Sequence, residues 1–439
     1  MALEADASLY QSTYQPGASA PTAFTHATIL DGAGDQIDDA TVLLAEGKVV
    51  AVGTNVAIPP GTKVVDARGR WVTPGIIDVH SHLGVYASPL VKSLSDGNEI
   101  SDPNTAEVWA EHSVWPQDPA FSRARAGGVT TLQILPGSTN LFAGRSVVLR
   151  NVRSVTVQGM KFPGAGQGLK MACGENPKTV YGDMRRAPSS RMGSMAGYRA
   201  AWIRASDYRQ RWDAYEKAKA ANPAASPPPR DLELESMAAA LRGDIRVHIH
   251  CYRADEIAQM FDLAKEFDYQ IATIEHAVEG YKLGDLFRRN GACASMWADM
   301  WGYKMEMQDG IPENVAMVAS KGNCAIVHSD SDDRIQQLNQ DAAKAMFAGR
   351  RMGMEISKAT AWSWISGNPA RALGIDDQTG TLAPGKRADV VLWSGDPFSV
   401  YTRADLVLVD GTVTYDRRDP SIDQGSDFDL GHPSARKAS

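Results

Sequence analysis

The 439-residue sequence lacks the features that mark membrane-spanning, nucleic-acid-binding and disordered proteins. It has no run of 18 apolar residues, so no transmembrane helix is predicted. Its 45 Lys and Arg are outnumbered by 52 Asp and Glu and form no basic block, which argues against a nucleic-acid partner because such binding needs clustered positive charge. A composition of 43% apolar and 22% charged residues is typical of a globular protein. We therefore expect a soluble protein, monomeric or homo-oligomeric, that acts on a small molecule or a short peptide.

Cysteine is also scarce. The four cysteines lie far apart and form no CxxC pair, so no structural metal site is predicted from Cys173, Cys251, Cys293 and Cys324. Each lies in or beside an apolar run, which predicts buried free thiols rather than disulfides. The first residues show neither the basic segment nor the apolar segment of a secretory signal, and this leaves both a cytoplasmic and an exported location open.

What the sequence does contain is two kinds of strand pattern. Short alternating strands separated by turn residues occupy 22–73 and 376–418, and we expect both ends of the chain to form one flanking β-sandwich domain. Between them, from 74 to 375, apolar runs alternate with helical periodicity about eight times, which predicts an α/β fold with a (β/α)₈ TIM-like barrel. Residues 1–21 and 419–439 are predicted to be tails. In such a barrel the chemistry takes place at the C-terminal ends of the strands.

One insertion, at about 180–235, interrupts this alternation. It is rich in arginine and ends in a proline-rich linker; its arginines include Arg185, Arg186, Arg191, Arg199, Arg204, Arg209 and Arg211. Because it follows a strand, it can form a lid over the barrel mouth that contacts substrate. The alternative is a solvated pair of surface helices.

Histidine is concentrated where the strands are predicted to end. Six of the nine histidines lie on or just after these strands: His80, His82, His248, His250, His276 and His328. Two imidazoles at positions i and i+2 of a strand point to the same face and can chelate one ion. The sequence therefore favours a metal centre at the barrel mouth.

The motifs around these histidines resemble those of a known family. PGIIDVHSHLG at 74–84, HIHC at 248–251, IEHA at 274–277, HSD at 328–330 and GTLAPGKRADVV at 380–391 look like the metal-dependent amidohydrolase superfamily. The resemblance is strongest to its imidazolonepropionase-like branch, which includes prolidase-type metallo-dipeptidases. It implies a barrel with a flanking β-sandwich, one or two divalent ions, and hydrolysis of an amide-like bond.

The resemblance also implies a ligand set. Position by position, the ligands correspond to His80, His82, His250, His276 and Asp330. His250 is preferred to His248 because it lies nearer the end of its strand, and His248 is expected to be a packed core histidine. Zn²⁺ is the expected ion, although other divalent metals remain open.

The fourth strand departs from the pattern of many binuclear members, which carry a carboxylated lysine there. We expect Glu175, at the predicted strand end, to be the bridging ligand instead. Lys170 is the competing candidate, but five residues along a strand amount to about 16 Å, which predicts that it lies too deep. Lys178 is expected to be a surface cation.

The predicted reaction is hydrolysis of a peptide-like amide, in a dipeptide or an N-acyl amino acid, by metal-activated water. Asp330 is the candidate proton shuttle, Tyr252 a candidate oxyanion donor, and Arg253 a candidate ligand for a substrate carboxylate. Arg253 can alternatively pair with Asp255 at the start of a helix. Two other functions stay open, a cyclic-amide hydrolase or deaminase of the same superfamily and a catalytically silent scaffold of the same fold.

Overall fold

The computed structural model describes residues 10–300 and 302–422. In the described residues, seventeen strands alternate with helices in an α/β arrangement with mixed sheets. The strands are β1 (Thr22–Leu30), β2 (Gln36–Ala45), β3 (Lys48–Gly53), β4 (Lys63–Asp66), β5 (Trp71–Pro74), β6 (Ile76–Ser81), β7 (Val129–Ile134), β8 (Phe142–Arg145), β9 (Val147–Arg150), β10 (Gly168–Ala172), β11 (Arg246–Cys251), β12 (Ile271–His276), β13 (Cys293–Met296), β14 (Ala325–Val327), β15 (Val390–Trp393), β16 (Ala404–Val409) and β17 (Thr412–Asp416).

Ten α-helices lie between these strands in the described ranges. They are α1 (Pro119–Ala126), α2 (Glu175–Asp183), α3 (Arg191–Ala221), α4 (Leu232–Arg242), α5 (Ala254–Phe267), α6 (Gly284–Asn290), α7 (Asn314–Ser320), α8 (Leu338–Arg351), α9 (Lys358–Ser363) and α10 (Gly367–Leu373). Within 10–300 and 302–422, no helix combines the length and apolar character needed to cross a membrane.

Strands from both ends of the chain share one eight-stranded sheet. Its order is β17-β16-β15-β5-β1-β2-β3, with β4 paired to β1. The antiparallel pairing of β15 with β5 joins the C-terminal segment to the N-terminal one. Its inner face buries apolar side chains such as Phe24, Ile29, Val42, Val390 and Leu408, as the alternating pattern predicts.

The central segment supplies seven strands that run parallel to their neighbours. β6 pairs with β7, and β10 to β14 pair in chain order, as the buried apolar runs predict. The apolar run SVVLRNV contains β9, which runs antiparallel to β7, while β8 runs antiparallel to β10. The chain reverses between β7 and β9, so β9 cannot be a parallel neighbour of β7. The ladders consequently form two sheets rather than one closed eight-stranded barrel.

The arginine-rich insertion packs into the protein. Its main helix, α3, buries Tyr198, Trp202, Tyr208 and Trp212 against the core of the central segment and α4. A helix with four large buried aromatic residues is anchored by their apolar area, so this part of the insertion is neither a solvated surface helix nor a detached lid.

All four cysteines form disulfides, which corrects the expectation of free thiols. Cys173 bonds to Cys251 and Cys293 to Cys324, across sequence separations of 78 and 31 residues. The parallel register explains both pairs: Ala172 faces His250, so the next residues meet, and Ala294 faces Ala325, so the preceding residues meet. Such proximity depends on strand register and leaves no trace in the spacing.

A buried ionic cluster joins the central segment to the sheet of the chain ends. Arg150 on β9 donates from Nη1 to Asp389 Oδ2 at 2.7 Å, and its Nη2 lies 3.1 Å from Asp410 Oδ2. Asp389 also accepts from Thr379 Oγ1 at 2.6 Å, and Asp410 from Tyr14 Oη at 2.7 Å. These partners compensate the cost of burying three charges.

Candidate metal centre

Three predicted ligands meet at the C-terminal ends of β6 and β14. His82 Nε2 lies 3.1 Å, and His80 Nε2 3.4 Å, from Asp330 Oδ1. One potential ligand atom from each of these residues lies within 4.8 Å of the other two. These spacings suit three ligands of one ion, whose ligand bonds are each about 2 Å long.

His250 and His276 complete the ring of imidazoles. His276 Nδ1 is 4.0 Å from Asp330 Oδ2, and its ring centroid lies 4.7 Å from that of His80. The His250 ring packs edge-on against His276, with centroids 4.5 Å apart. The Trp297 ring stacks on His276, with centroids 4.2 Å apart, and forms an apolar wall of the site.

Two of these side chains are aimed by unusual backbone. In a regular strand, His276 would point to the face opposite that of Glu275. His276 instead has a left-handed backbone with φ +71°, and Asp330, in the loop after β14, has φ +52°. The left-handed region is uncommon for residues other than glycine, and such conformations cluster at functional sites. Here they turn a strand-end residue toward the centre.

A buried glutamate orients the histidines from below. Glu275 Oε2 lies 3.2 Å from His80 Nδ1, and Glu275 Oε1 lies 3.0 Å from His248 Nδ1. Glu275 thus places its negative charge beside His80 Nδ1, which forms no hydrogen bond with a described residue, while His80 Nε2 faces Asp330. His248 Nε2 in turn lies 3.4 Å from Gln133 Nε2. His248 is therefore held in the packed position that the sequence favours for it.

Asp78 fixes the relative position of β6 and the loop after β14. It accepts hydrogen bonds from the backbone N–H of His80 at 3.1 Å and from the backbone N–H and Oγ of Ser329. Burial raises the pKa of Asp78 to about 7, against these hydrogen bonds. The N–H of Asp330 also donates to the carbonyl of His80 at 3.0 Å, so the two ligand-bearing segments are tied directly.

Lys170, rather than Glu175, reaches the histidines from β10. Lys170 Nζ is fully buried and lies 3.4 Å from His80 Nε2. The argument that Lys170 lies too deep is wrong, because the strand ends at Ala172 and the long lysine side chain spans the remaining depth. Glu175 is the first residue of α2, and its Oε1 lies 3.5 Å from Lys304 Nζ, outside the group formed by His80, His82 and Asp330.

The site contains buried polar atoms that nothing in the described chain satisfies. His250 Nδ1, His276 Nδ1 and both ring nitrogens of His328 have no hydrogen-bond partner among the described residues. A buried unsatisfied polar atom costs about 1–3 kcal/mol. A divalent cation bound among these nitrogens and the Asp330 carboxylate would remove that cost, and this donor set fits Zn²⁺.

Burial also sets the ionisation that a metal requires. Burial first, and then the positive charge of Lys170, hold the pKa of His80 and of His250 well below the usual value, so both imidazoles are neutral. Neutral imidazole is the metal-binding form. Burial tends to raise the pKa of Asp330, but the hydrogen bond and charge of His82 lower it overall, so its carboxylate is ionised.

The two predicted substrate contacts differ in where they lie. Tyr252 packs against the rings of His250 and His276, at centroid distances of 4.6 and 5.3 Å. Arg253 makes two 3.0 Å hydrogen bonds to Asp255, the alternative that the sequence leaves open. A substrate carboxylate would have to displace Asp255 to bind there.

Five of the seven arginines named for the insertion are similarly engaged with acidic groups or backbone carbonyls. Arg191 binds Glu256 and Glu306, Arg199 binds Glu266, Arg204 binds Glu233, Arg209 donates to the Leu241 carbonyl, and Arg186 binds Asp102. These pairings do not support an uncompensated positive patch at the mouth.

Sequence reasoning missed several residues of the site. Asp78 sits two residues before His80, so strand periodicity could have placed it on the same face. Glu275 directly precedes His276, and nothing in its spacing signals that it bridges two histidines. Lys304 lies in the long loop after β13, a segment whose path only the folded structure defines.

The comparisons with known proteins agree with this architecture. Residues 71–425 match the model of the amidohydrolase family. Amidohydrolase tasK of Hapsidospora irregularis is 30% identical over 415 residues, 90% of this chain and 41% of its own length, so this chain spans about two fifths of that relative. An imidazolonepropionase of Mesorhizobium japonicum is 23% identical over 84% of this chain and 90% of its own length.

Solved structures give the same result. An amidohydrolase from Thermotoga maritima superposes with a TM-score of 0.82 at 32% identity, covering 90% of this chain and 100% of that one. A prolidase solved with N-methylphosphonate-L-proline shares the fold at 18% identity, with a TM-score of 0.54 over 91% of this chain and 100% of that chain.

A mixed α/β fold with histidines and an aspartate gathered at the strand ends defines a metal-dependent hydrolase class. The chain belongs to the amidohydrolase family, whose enzymes are metal-dependent hydrolases of carbon–nitrogen bonds. The family resemblance and the prediction of an enzyme are thereby confirmed.

Proposed function

We propose that this protein hydrolyses a peptide-like amide bond, in a dipeptide or an N-acyl amino acid, at a Zn²⁺ centre of one or two ions. The observation that carries the proposal is the convergence of His80, His82, His250, His276 and Asp330 around buried ring nitrogens that lack partners among the described residues. When bound, zinc lowers the pKa of water to about 7 and polarises the scissile carbonyl.

In this proposal Asp330 is the proton shuttle. Its carboxylate is ionised, as the lowered pKa implies, and its side chain is 24% exposed, so a substrate nitrogen can approach it. It would accept the proton of the attacking water and deliver it to the leaving nitrogen. His82 Nδ1 donates to the Leu135 carbonyl at 2.8 Å, and this holds His82 Nε2 at 3.1 Å from the Asp330 carboxylate.

Tyr252 is the proposed donor to the developing oxyanion. Burial, followed by the charge of Tyr303, raises the pKa of Tyr252 far above its usual value, so the hydroxyl keeps its proton. A protonated phenol beside His250 and His276 can donate to an oxygen that gains negative charge.

For the fourth-strand ligand, the contacts favour Lys170 over Glu175. Burial lowers the pKa of Lys170 to about 8, so its amine is available at mildly alkaline pH to attack carbon dioxide, form a carbamate and release one proton. The carbamate would carry an anionic oxygen ligand beside His80. Mass spectrometry under native conditions tests this, because the modification adds carbon dioxide to wild type and not to Lys170→Met.

We also infer that β6, β7 and β10 to β14 enclose one (β/α)₈-type barrel flanked by a β-sandwich. The bond from Asp330 N to the His80 carbonyl supports closure between β14 and β6. The consecutive strands β8 and β9, which run antiparallel to β10 and β7, would fill the place of the missing parallel strand.

The relative named imidazolonepropionase favours a second candidate, hydrolysis of a cyclic amide at the same centre. The test is metal analysis of the purified protein joined to a hydrolysis screen of dipeptides, N-acyl amino acids, lactones and cyclic amides. We expect bound zinc and turnover of linear amides that a chelator abolishes. Turnover of cyclic amides alone would select the second candidate, and a protein that binds no divalent metal would refute both.

A further inference from the structure

We propose that Lys304 forms a carboxylate-binding subsite at the mouth of the metal centre, so that the substrate is an amide with a free carboxylate close to the scissile bond. This inference rests on the proposed amide hydrolysis and specifies its substrate class. Lys304 takes the role predicted above for Arg253.

The position of Lys304 carries the first step. It lies in the loop after β13, its side chain is only 18% exposed, and its Nζ lies 4.3 Å from the centroid of the Tyr252 ring. The Tyr252 ring in turn packs on His250. Lys304 Nζ therefore lies beside the tyrosine that packs on two proposed metal ligands, where a substrate group near the metal can contact it.

A single amide side chain separates Lys304 from a proposed metal ligand. Lys304 Nζ donates to Asn176 Oδ1 at 3.1 Å, and Asn176 Nδ2 lies 3.4 Å from His250 Nε2. A substrate with its scissile carbonyl beside His250 would therefore bring a carboxylate a few bonds away within reach of Lys304. The α-carboxylate of a dipeptide or an N-acyl amino acid has this spacing.

The groups around the Lys304 ammonium already include a carboxylate, as the proposed substrate would. A lysine ammonium has three donors, and here one is directed to Asn176, while the Glu175 carboxylate lies at 3.5 Å. This leaves capacity for a further acceptor. Glu175 holds the position of an anion near the ammonium, and a substrate carboxylate would join or displace it.

Other cations near the mouth are less suited to this role. Arg253 is bound bidentately by Asp255, and Arg191 bridges Glu256 and Glu306. Lys304 faces Glu175 at a longer distance than these pairs. A carboxylate gains most from a cation that is partly desolvated and not already chelated.

Binding to a protein that cannot turn over substrate tests the subsite independently of the reaction. In zinc-loaded Asp330→Asn protein, calorimetry would compare N-acetyl amino acids with their carboxamides. We expect the carboxylate to bind at least about tenfold more tightly. Adding Lys304→Met should abolish this preference, and Lys304→Arg should retain most of it. Arg253→Met is the matched control and should keep the preference.

Contrary outcomes are distinct. Equal binding of acid and carboxamide, or a preference that survives Lys304→Met and disappears in Arg253→Met, would overturn the subsite. Equal loss of both ligands in Lys304→Met, with unchanged metal content and circular dichroism, would assign Lys304 a structural role and also overturn it. Failure of the amide-hydrolysis proposal would appear separately, as no turnover of any amide by the zinc-loaded wild type.

Glu175→Gln sharpens the result. If Glu175 only neutralises Lys304, this variant should keep its zinc content and show a severalfold lower KM for carboxylate substrates with little change in kcat. Loss of zinc would identify Glu175 as a metal ligand and would contradict its role as the placeholder anion of this subsite.

Discussion

Two buried polar clusters of this protein differ in how completely their atoms are paired. In the cluster of Arg150, Asp389 and Asp410, both terminal guanidinium nitrogens and both carboxylates have partners. Of the side-chain atoms of these three residues, only Arg150 Nε lacks a partner in the described chain. In the histidine cluster, Nδ1 of His250 and both ring nitrogens of His328 are buried without any hydrogen bond in the described chain. A satisfied buried cluster stabilises the fold, whereas an unsatisfied one indicates a place where a ligand supplies what the protein does not.

The largest expected effect comes from Asp330→Asn. An amide can still offer an oxygen to a metal but cannot carry a proton at neutral pH, so we expect kcat to fall by about 10²–10⁴-fold with much of the zinc retained. Steady-state kinetics of the metal-loaded protein would measure this. The control is Asp332→Asn, whose carboxylate contacts Ser88 and Arg123 near the surface, and which should keep wild-type kcat. A metal-loaded Asp330→Asn enzyme with wild-type kcat would remove the proton-shuttle role.

In the paired cluster, Asp389→Ala should reduce stability instead of catalysis. Removing this carboxylate leaves the buried Arg150 undercompensated, and breaking a buried pair costs about 3–5 kcal/mol. Urea unfolding gives the free energy, and kcat per bound zinc should be unchanged. Asp39→Asn, which removes the charge of an exposed contact with His26 and suits the left-handed backbone at this position (φ +48°), should stay within about 0.5 kcal/mol. Similar losses in both variants would show that the cluster adds little.

Metal addition tests the unsatisfied cluster directly. Zinc at about 100 times its Kd should stabilise the metal-free protein by about 2.7 kcal/mol, because only the folded state offers the assembled site. Thermal unfolding would show this as a higher Tm. The double variant His80→Ala/His82→Ala should not respond, and an equal shift in that variant would place the zinc elsewhere.

The smallest expected effect is the pH dependence that Asp389 contributes. Burial tends to raise the pKa of Asp389, but the charge and hydrogen bonds of Arg150 lower it overall. An acid with a lowered pKa in the folded state contributes stability that is present above its unfolded pKa of about 3.9 and is lost as the pH falls through its folded pKa. Unfolding midpoints measured from pH 5 downward should therefore fall less steeply in Asp389→Asn than in wild type. Parallel curves would exclude this contribution.

The class of the fold, the family and most residues of the histidine cluster can be predicted from the amino-acid sequence. Buried parallel strands are continuously apolar, so they can be recognised in the sequence. The two-residue period of a strand predicts that His80 and His82 point to the same face. His250, His276 and Asp330 follow from motifs at the ends of such strands. These signals are local, since each depends on a few neighbouring residues.

Which residues far apart in the sequence contact each other depends on the tertiary structure. The disulfides depend on the register of parallel strands, Lys170 reaches His80 because its strand stops at Ala172, and Lys304 comes to Tyr252 through the path of a long loop. Glu175 leaves the strand because a helix begins there. None of these contacts has a sequence period, because each joins elements whose separation along the chain is unrelated to their separation in space.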